Sequence, residues 1–151
     1  MAASSFLGAV GATTGPLHAR ALLGAGRRFA GQAELAAEDV PALIPAFAEA
    51  IRLRGKAQPG DKTMLDAWAP AARAVRAAAE RGAAPLARVD AALRAAEDGR
   101  EATRAMVASV GRAARLGERT LGHVDPGAAS AVIIIASLRD GLAHLLEEGA
   151  A

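Results

Sequence analysis

EDVPALIPAFAEAIRLR, residues 38–54, places Val40, Leu43, Ile44, Phe47 and Ile51 at i, i+3, i+4, i+7 and i+11. That spacing lines one face of an α-helix and cannot line one side of a strand. Pro41 and Pro45 fall in or near the first turn, where a missing N–H costs little. A helix over about Glu38–Arg54 is therefore predicted, and the same period recurs on both sides of it. Upstream, a helix starts at Pro16 with Thr14 or Gly15 as its cap, turns Leu17, Ala21 and Leu22 inward, and ends before Gly24 or Gly26. Downstream, Met64, Leu65, Trp68, Ala72 and Val75 form the buried stripe of a third helix, which Pro70 should kink or break. After a turn at Gly82–Pro85 another helix carries Leu86, Val89 and Leu93 inward, until Asp98 and Gly99 punctuate it. Met106, Val107 and Val110 mark one more, closed by Gly111. The last runs from Pro126 to about Glu148 and is apolar nearly all round over Val132, Ile133, Ile134 and Ile135, which implies burial on several sides. No run alternates with a period of two. The fold class is all-α, an antiparallel up-and-down helical bundle or barrel.

Composition agrees. Of the 151 residues 52% are hydrophobic but only 3% aromatic, so the core is built from Ala, Leu, Val and Ile. Strands would want more aromatic and β-branched side chains. The net charge of +2 is small, and the aromatics Phe6, Phe29, Phe47 and Trp68 are scattered rather than set along a basic face, which argues against nucleic acid as a partner. Without cysteine there is no disulfide framework, Cys-based zinc site or thiol nucleophile. MAASSFLGAV has neither the basic start nor the apolar run of a signal peptide. Arg139 and Asp140 stop the apolar run Ala128–Leu138 short of the ~20 residues that span a bilayer. A soluble, cytoplasmic protein without a membrane partner is expected.

Three loops are chemically unusual, and each leads into a helix start, where free N–H groups and the helix dipole favour anions. In Val10–Gly15 the hydroxyls of Thr13 and Thr14 lie between Gly11 and Gly15, as a phosphate-binding turn or an ordinary Thr cap would have them. In Arg54–Lys62, Asp61 is a candidate helix cap and Lys62 points a cation at the loop. In Gly111–Gly127, Arg112, Arg115 and Arg119 supply forked cationic donors, Gly111, Gly117 and Gly122 let a backbone approach a flat ligand, and Asp125, Pro126 and Gly127 read as an N-cap followed by proline at the first helical position. The last helix then leaves its N–H groups pointing at the loop, and the ligand suggested is a nucleotide. His123 is either a general base or a loop histidine bonded to backbone; His144 is a helix-dipole partner or a packed side chain.

GATTGPL (residues 11–17), RGKAQPGDKTMLDAWAP (54–70) and GRAARLGERTLGHVDPGAASA (111–131) resemble, in order and spacing, the L subunit (DhaL) of phosphotransferase-type dihydroxyacetone kinase and the matching C-terminal domain of the ATP-dependent kinases. The resemblance runs from about Leu7 to Leu146. It implies a closed barrel of antiparallel helices holding ADP or ATP at one end, with Mg2+ under the phosphates. Thr13 and Thr14 match the phosphate-contacting pair, where Ala-Ser is more usual. Gly55 and Met64 match positions beside the adenine, Arg112 the arginine of the phosphate side, and Asp125, Pro126 and Gly127 the loop that closes over the base. The implied partners are a K subunit carrying dihydroxyacetone and an M-type phosphocarrier. The catalytic residues are not identified.

One departure stands beside the match. Family members begin with a helix and a G-D-G-D-H-G loop whose aspartates hold the magnesium, and nothing here corresponds, the first acidic residue being Glu34. Asp61, Asp66 and Asp125 are assigned elsewhere by the motif. Residues 1–151 thus read as a single DhaL-like nucleotide-binding domain, incomplete at its N-terminus and lacking the metal-binding segment. Two functions follow: a phosphotransferase subunit acting on dihydroxyacetone or a related small ketose, or a non-catalytic nucleotide-binding or interaction module derived from it. In the second, apolar flanks left uncovered would favour a homo-oligomer or a partner.

Overall fold

The computed structural model describes residues 14–31 and 34–149. Among the described residues five α-helices carry the fold: α1 (Thr14–Arg28), α2 (Leu43–Gly55), α3 (Leu65–Glu80), α4 (Pro85–Ala102) and α5 (Pro126–Glu148). Short 3-10 segments cover Val40–Ala42, Thr103–Ala105 and Ala113–Thr120, and there is no strand among the described residues. Each helix packs on the next in sequence, α3 on α4 most extensively, and α5 also reaches α3. The link between α3 and α4 is a tight turn through Gly82, whose φ of +69° only glycine adopts readily, so those two helices form an antiparallel hairpin.

Most of the predicted inward positions lie in the core, with Leu22, Leu43, Leu86 and Leu93 half-buried against it and the Leu17 side chain outside the described residues. Ile44, Phe47 and Ile51 of α2 meet Leu65, Trp68, Ala72 and Val75 of α3, while Val89, Ala92 and Ala96 of α4 and Ala131, Val132, Ile135 and Leu142 of α5 close the other side. Trp68 sits at the centre, fully buried, its ring 5.4 Å from that of Phe47 and 6.4 Å from that of His18. So many alanines bring the helix axes close, and a glycine takes this furthest. A Cβ on Gly99 would lie 2.1 Å from the Asp66 carbonyl oxygen and 2.9 Å from Pro70 Cγ.

That contact bears on why α3 is not broken at Pro70 and α4 is not ended at Gly99. Pro70 lies inside α3, which runs unbroken from Leu65 to Glu80. Having no N–H, Pro70 leaves the Asp66 carbonyl without its helical donor, and Gly99 brings the backbone of α4 against that spot. Gly99 is therefore a packing residue within α4 and does not end it; the helix continues to Ala102. Gly24 behaves alike, since its Cβ would come within 3.2 Å of Ala50 Cβ on α2, and α1 continues past Gly24 and Gly26 to Arg28.

Two further expectations fail. No helix forms over Met106, Val107 and Val110; Met106 is extended, at φ −98° and ψ 147°. The backbone groups such a helix needs are bonded at long range: the Met106 carbonyl accepts from Lys62 Nζ, the Ala108 amide donates to Thr120 Oγ1, and the Ser109 amide donates to the Asp61 carbonyl. In α5, Val132 and Ile135 are buried but Ile133 is 66% exposed, because α3 and α4 cover only one side. By length and composition α5 is long and apolar enough to cross a membrane; here it lies on α4, tied there by an Arg139–Asp90 ion pair at 3.0 Å.

Candidate functional site

The helix ends at one side of the bundle enclose a cleft of about 440 Å³. Pro16 of α1 stands at one rim, Ile51, Arg54 and Gly55 bring the end of α2, Lys62–Leu65 the start of α3, Val110–Ala113 the far wall, and Asp125–Gly127 the start of α5.

Short-range hydrogen bonds shape the turn before α3. Asp66 reaches back from the first turn of the helix, Oδ1 accepting from the Gly60 amide at 2.5 Å and Oδ2 from the Thr63 amide at 2.7 Å, while Thr63 Oγ1 accepts from the Leu65 amide at 3.2 Å. This is capping-box logic, with an aspartate in place of glutamate. Asp61, the expected cap, does other work. Its carboxylate accepts from Ser109 Oγ at 2.6 Å and from the Gln58 amide at 2.7 Å, tying the turn to the far wall. Those two bonds, Ser109's first, hold its pKa below the ordinary carboxylate value.

Lys62 is buried in the left-handed region at φ +59°. Its ammonium donates to four carbonyl oxygens: Thr103 at 2.8 Å, Met106 at 3.1 Å, Thr120 at 2.5 Å and His123 at 2.8 Å. Thr103 Oγ1 accepts from the Asp125 amide, and Thr120 Oγ1 donates to the Gly117 carbonyl. One buried cation and two buried threonines thus fasten the segment from α4 to α5. His123 contributes its backbone carbonyl to this knot and leaves its side chain exposed.

At α5, Asp125 Oδ2 accepts from the Ala128 amide at 2.8 Å. The expectation that this helix start leaves its N–H groups for a ligand is thereby corrected: the anion there is Asp125's own carboxylate, which the Gly127 amide also serves. Burial nonetheless pushes the Asp125 pKa above the ordinary value, outweighing those amides, with the Asp66 charge adding to the rise and Lys62 opposing it. Gly127 is a seam residue, since its Cβ would meet Met64 Cβ at 3.2 Å and Asp125 Oδ2 at 2.9 Å.

A family profile described as the DAK2 domain matches residues 1–140. The chain belongs to the DAK2 domain family. It is 35% identical over 134 residues to the PEP-dependent dihydroxyacetone kinase, ADP-binding subunit DhaL, of Escherichia coli K12, covering 89% of this chain and 64% of that protein. With the corresponding subunit of kinase 2 of Listeria innocua the identity is 35% over 136 residues, covering 90% and 62%. L-erythrulose 1-kinase of Mycolicibacterium smegmatis is 39% identical over 145 residues, covering 94% of this chain and 24% of that protein. The chain thus spans less than two thirds of the length of these relatives.

In this DAK2 chain, Gly55, Met64, Arg112, Asp125, Pro126 and Gly127 all line the one cleft. Thr14 begins α1, two residues before Pro16 at the rim, while its side chain and the whole of Thr13 lie outside the described residues. Of the three loop arginines Arg112 lines the cleft; Arg115 and Arg119 stand exposed on the 3-10 segment beyond it. Arg54, Thr103 and Thr120 were not singled out from the sequence. Arg54 could have been, as a cation beside Gly55. The threonines could not, because nothing local marks them as partners of a lysine 41 and 58 residues away.

The magnesium that the family resemblance implies finds no cradle among the described residues. The carboxylates of Asp61, Asp66 and Asp125 are engaged by backbone amides, and no three His, Asp or Glu side chains converge to hold an ion. A hard dication would need several free oxygen ligands.

Proposed function

We propose that this chain is the adenine-nucleotide-binding part of a dihydroxyacetone-kinase-type phosphotransferase, holding ADP or ATP in the 440 Å³ cleft. The observation that carries this is the meeting of Gly55, Met64, Arg112 and Asp125–Gly127, drawn from two distant stretches of sequence, on that one cleft. The ADP-binding DhaL names of its relatives support the same ligand. Ile51, Met64, Leu65 and Val110 give an apolar slot suited to a base, and Arg54 and Arg112 set fixed positive charge beside it for the phosphates. The chain's part in the reaction is to bind and orient the nucleotide and offset its charge. The acceptor, dihydroxyacetone or a related small ketose, sits on a K-type partner subunit in the cytoplasm, with an M-type phosphocarrier recharging bound ADP in the phosphotransferase-system version.

Calorimetric titration with ADP tests this. The wild type should bind one ADP, and Arg112→Ala should weaken it by ~1 to 3 kcal/mol, the range for a charge-assisted hydrogen bond. An unchanged affinity would remove Arg112 from the phosphates, and no binding by the wild type would remove the nucleotide.

A further inference from the structure

A lysine at a phosphate-binding loop is ordinarily read as a phosphate ligand. Lys62 lines the cleft, yet it is only 5% exposed, and four carbonyl oxygens lie within 3.1 Å of its Nζ. An ammonium has three protons. Four acceptors consume all of them, and none is left for a ligand. Their owners, Thr103, Met106, Thr120 and His123, bracket the Val110–Ala113 wall and end two residues before Asp125. Further bonds join the same segment: Asp61 to Ser109, Ala108 to Thr120, the Asp125 amide to Thr103, and Gly122 and Arg104 to each other.

We infer that Lys62 is a positioning residue, whose ammonium holds the 103–125 segment in place as the wall of the cleft and is not offered to the phosphates. The ligand is taken from the nucleotide-binding reading above. A loosened wall lowers the fraction of molecules able to bind, and lowers it equally for every ligand the wall covers.

Adenosine, AMP and ADP should therefore each bind folded Lys62→Met more weakly by the same factor, which is ~10-fold where the competent fraction falls to about a tenth. Arg112→Ala should weaken ADP more than adenosine. Two results would overturn the inference: a Lys62→Met loss that grows with phosphate number, which makes Lys62 a phosphate ligand, or unchanged affinity for all three in the folded variant, which leaves it structural only.

A measurement on the wild type holds if Lys62→Met does not fold. The chain has two lysines, and Lys56 is exposed, so a 15N-lysine spectrum contains its own reference. The Lys62 ammonium protons should exchange slowly enough to be seen at neutral pH, with those of Lys56 lost to solvent, and should keep their shift when inorganic pyrophosphate is added. Equal exchange at both lysines, or a Lys62 signal that moves on titration with pyrophosphate, would refute the positioning role. Should the wild type bind none of the three ligands, the nucleotide reading falls while this spectrum still decides Lys62.

Discussion

Gly99→Ala adds one methyl group at the tightest crossing in the bundle. The new Cβ would start 2.1 Å from the Asp66 carbonyl oxygen and 2.9 Å from Pro70 Cγ. Both belong to backbone or a closed ring, so neither can swing aside; α4 must move off α3 by about 1 Å to restore ordinary contact, and overpacking of that kind costs ~1 to 3 kcal/mol. Alanine's better helix propensity returns up to about 1 kcal/mol. The net destabilisation is ~0 to 2 kcal/mol, which for a domain of this size is a fall in Tm of up to roughly 8 °C. Two controls make the same change where no atom lies within 4 Å, Gly26→Ala in α1 and Gly141→Ala in α5. Free of the clash, they should raise stability by up to about 1 kcal/mol. Thermal denaturation followed by circular dichroism reads all three. If Gly99→Ala moves Tm in the same direction as its controls, the α3–α4 contact is not rigid and the account of Pro70 and Gly99 is wrong.

Asp125→Asn tests the buried cap. The folded pKa lies above the ordinary 3.8, so the wild type loses stability as pH rises from about 3.8 through the folded value, and asparagine, which caps a helix as well but stays neutral, does not. The variant's stability relative to wild type should therefore increase over that window in urea titrations at successive pH values; a constant difference would contradict the raised pKa. Trp68→Ala should cost ~3 to 5 kcal/mol in the same titrations, as expected for a fully buried indole at the core's centre. A loss under 1 kcal/mol would mean the core rearranges around it.

What could be read in advance follows from how far apart the interacting residues lie. The stripe from Val40 to Ile51, the stripe from Met64 to Val75 and the start of α5 at Asp125–Pro126 are local patterns, and the structure realises each of them. Gly24, Pro70 and Gly99 are locally helix breakers, but helix–helix contact decided their roles, and that contact comes from another part of the chain. The missing helix at Met106–Val110 has the same cause, since its carbonyls and amides answer to Lys62, Thr120 and Asp61. Apolar content alone likewise could not say which side of α5 would face solvent at Ile133. That Gly55, Met64, Arg112 and Asp125–Gly127 share one cleft was legible because they travel in loops with a recognisable order. The knot that holds those loops together, Lys62 with Thr103 and Thr120, was not, because only the folded chain brings it together.

The central claim is that this one cleft holds the nucleotide, and hydrogen exchange read peptide by peptide, with and without saturating ADP, tests it most directly. ADP should slow exchange in two separated regions, residues 55–65 and 110–128, while the middle of α4 around Val89–Ala96 stays unchanged. Protection confined to another face of the bundle, or none at a concentration that saturates binding, would contradict the account.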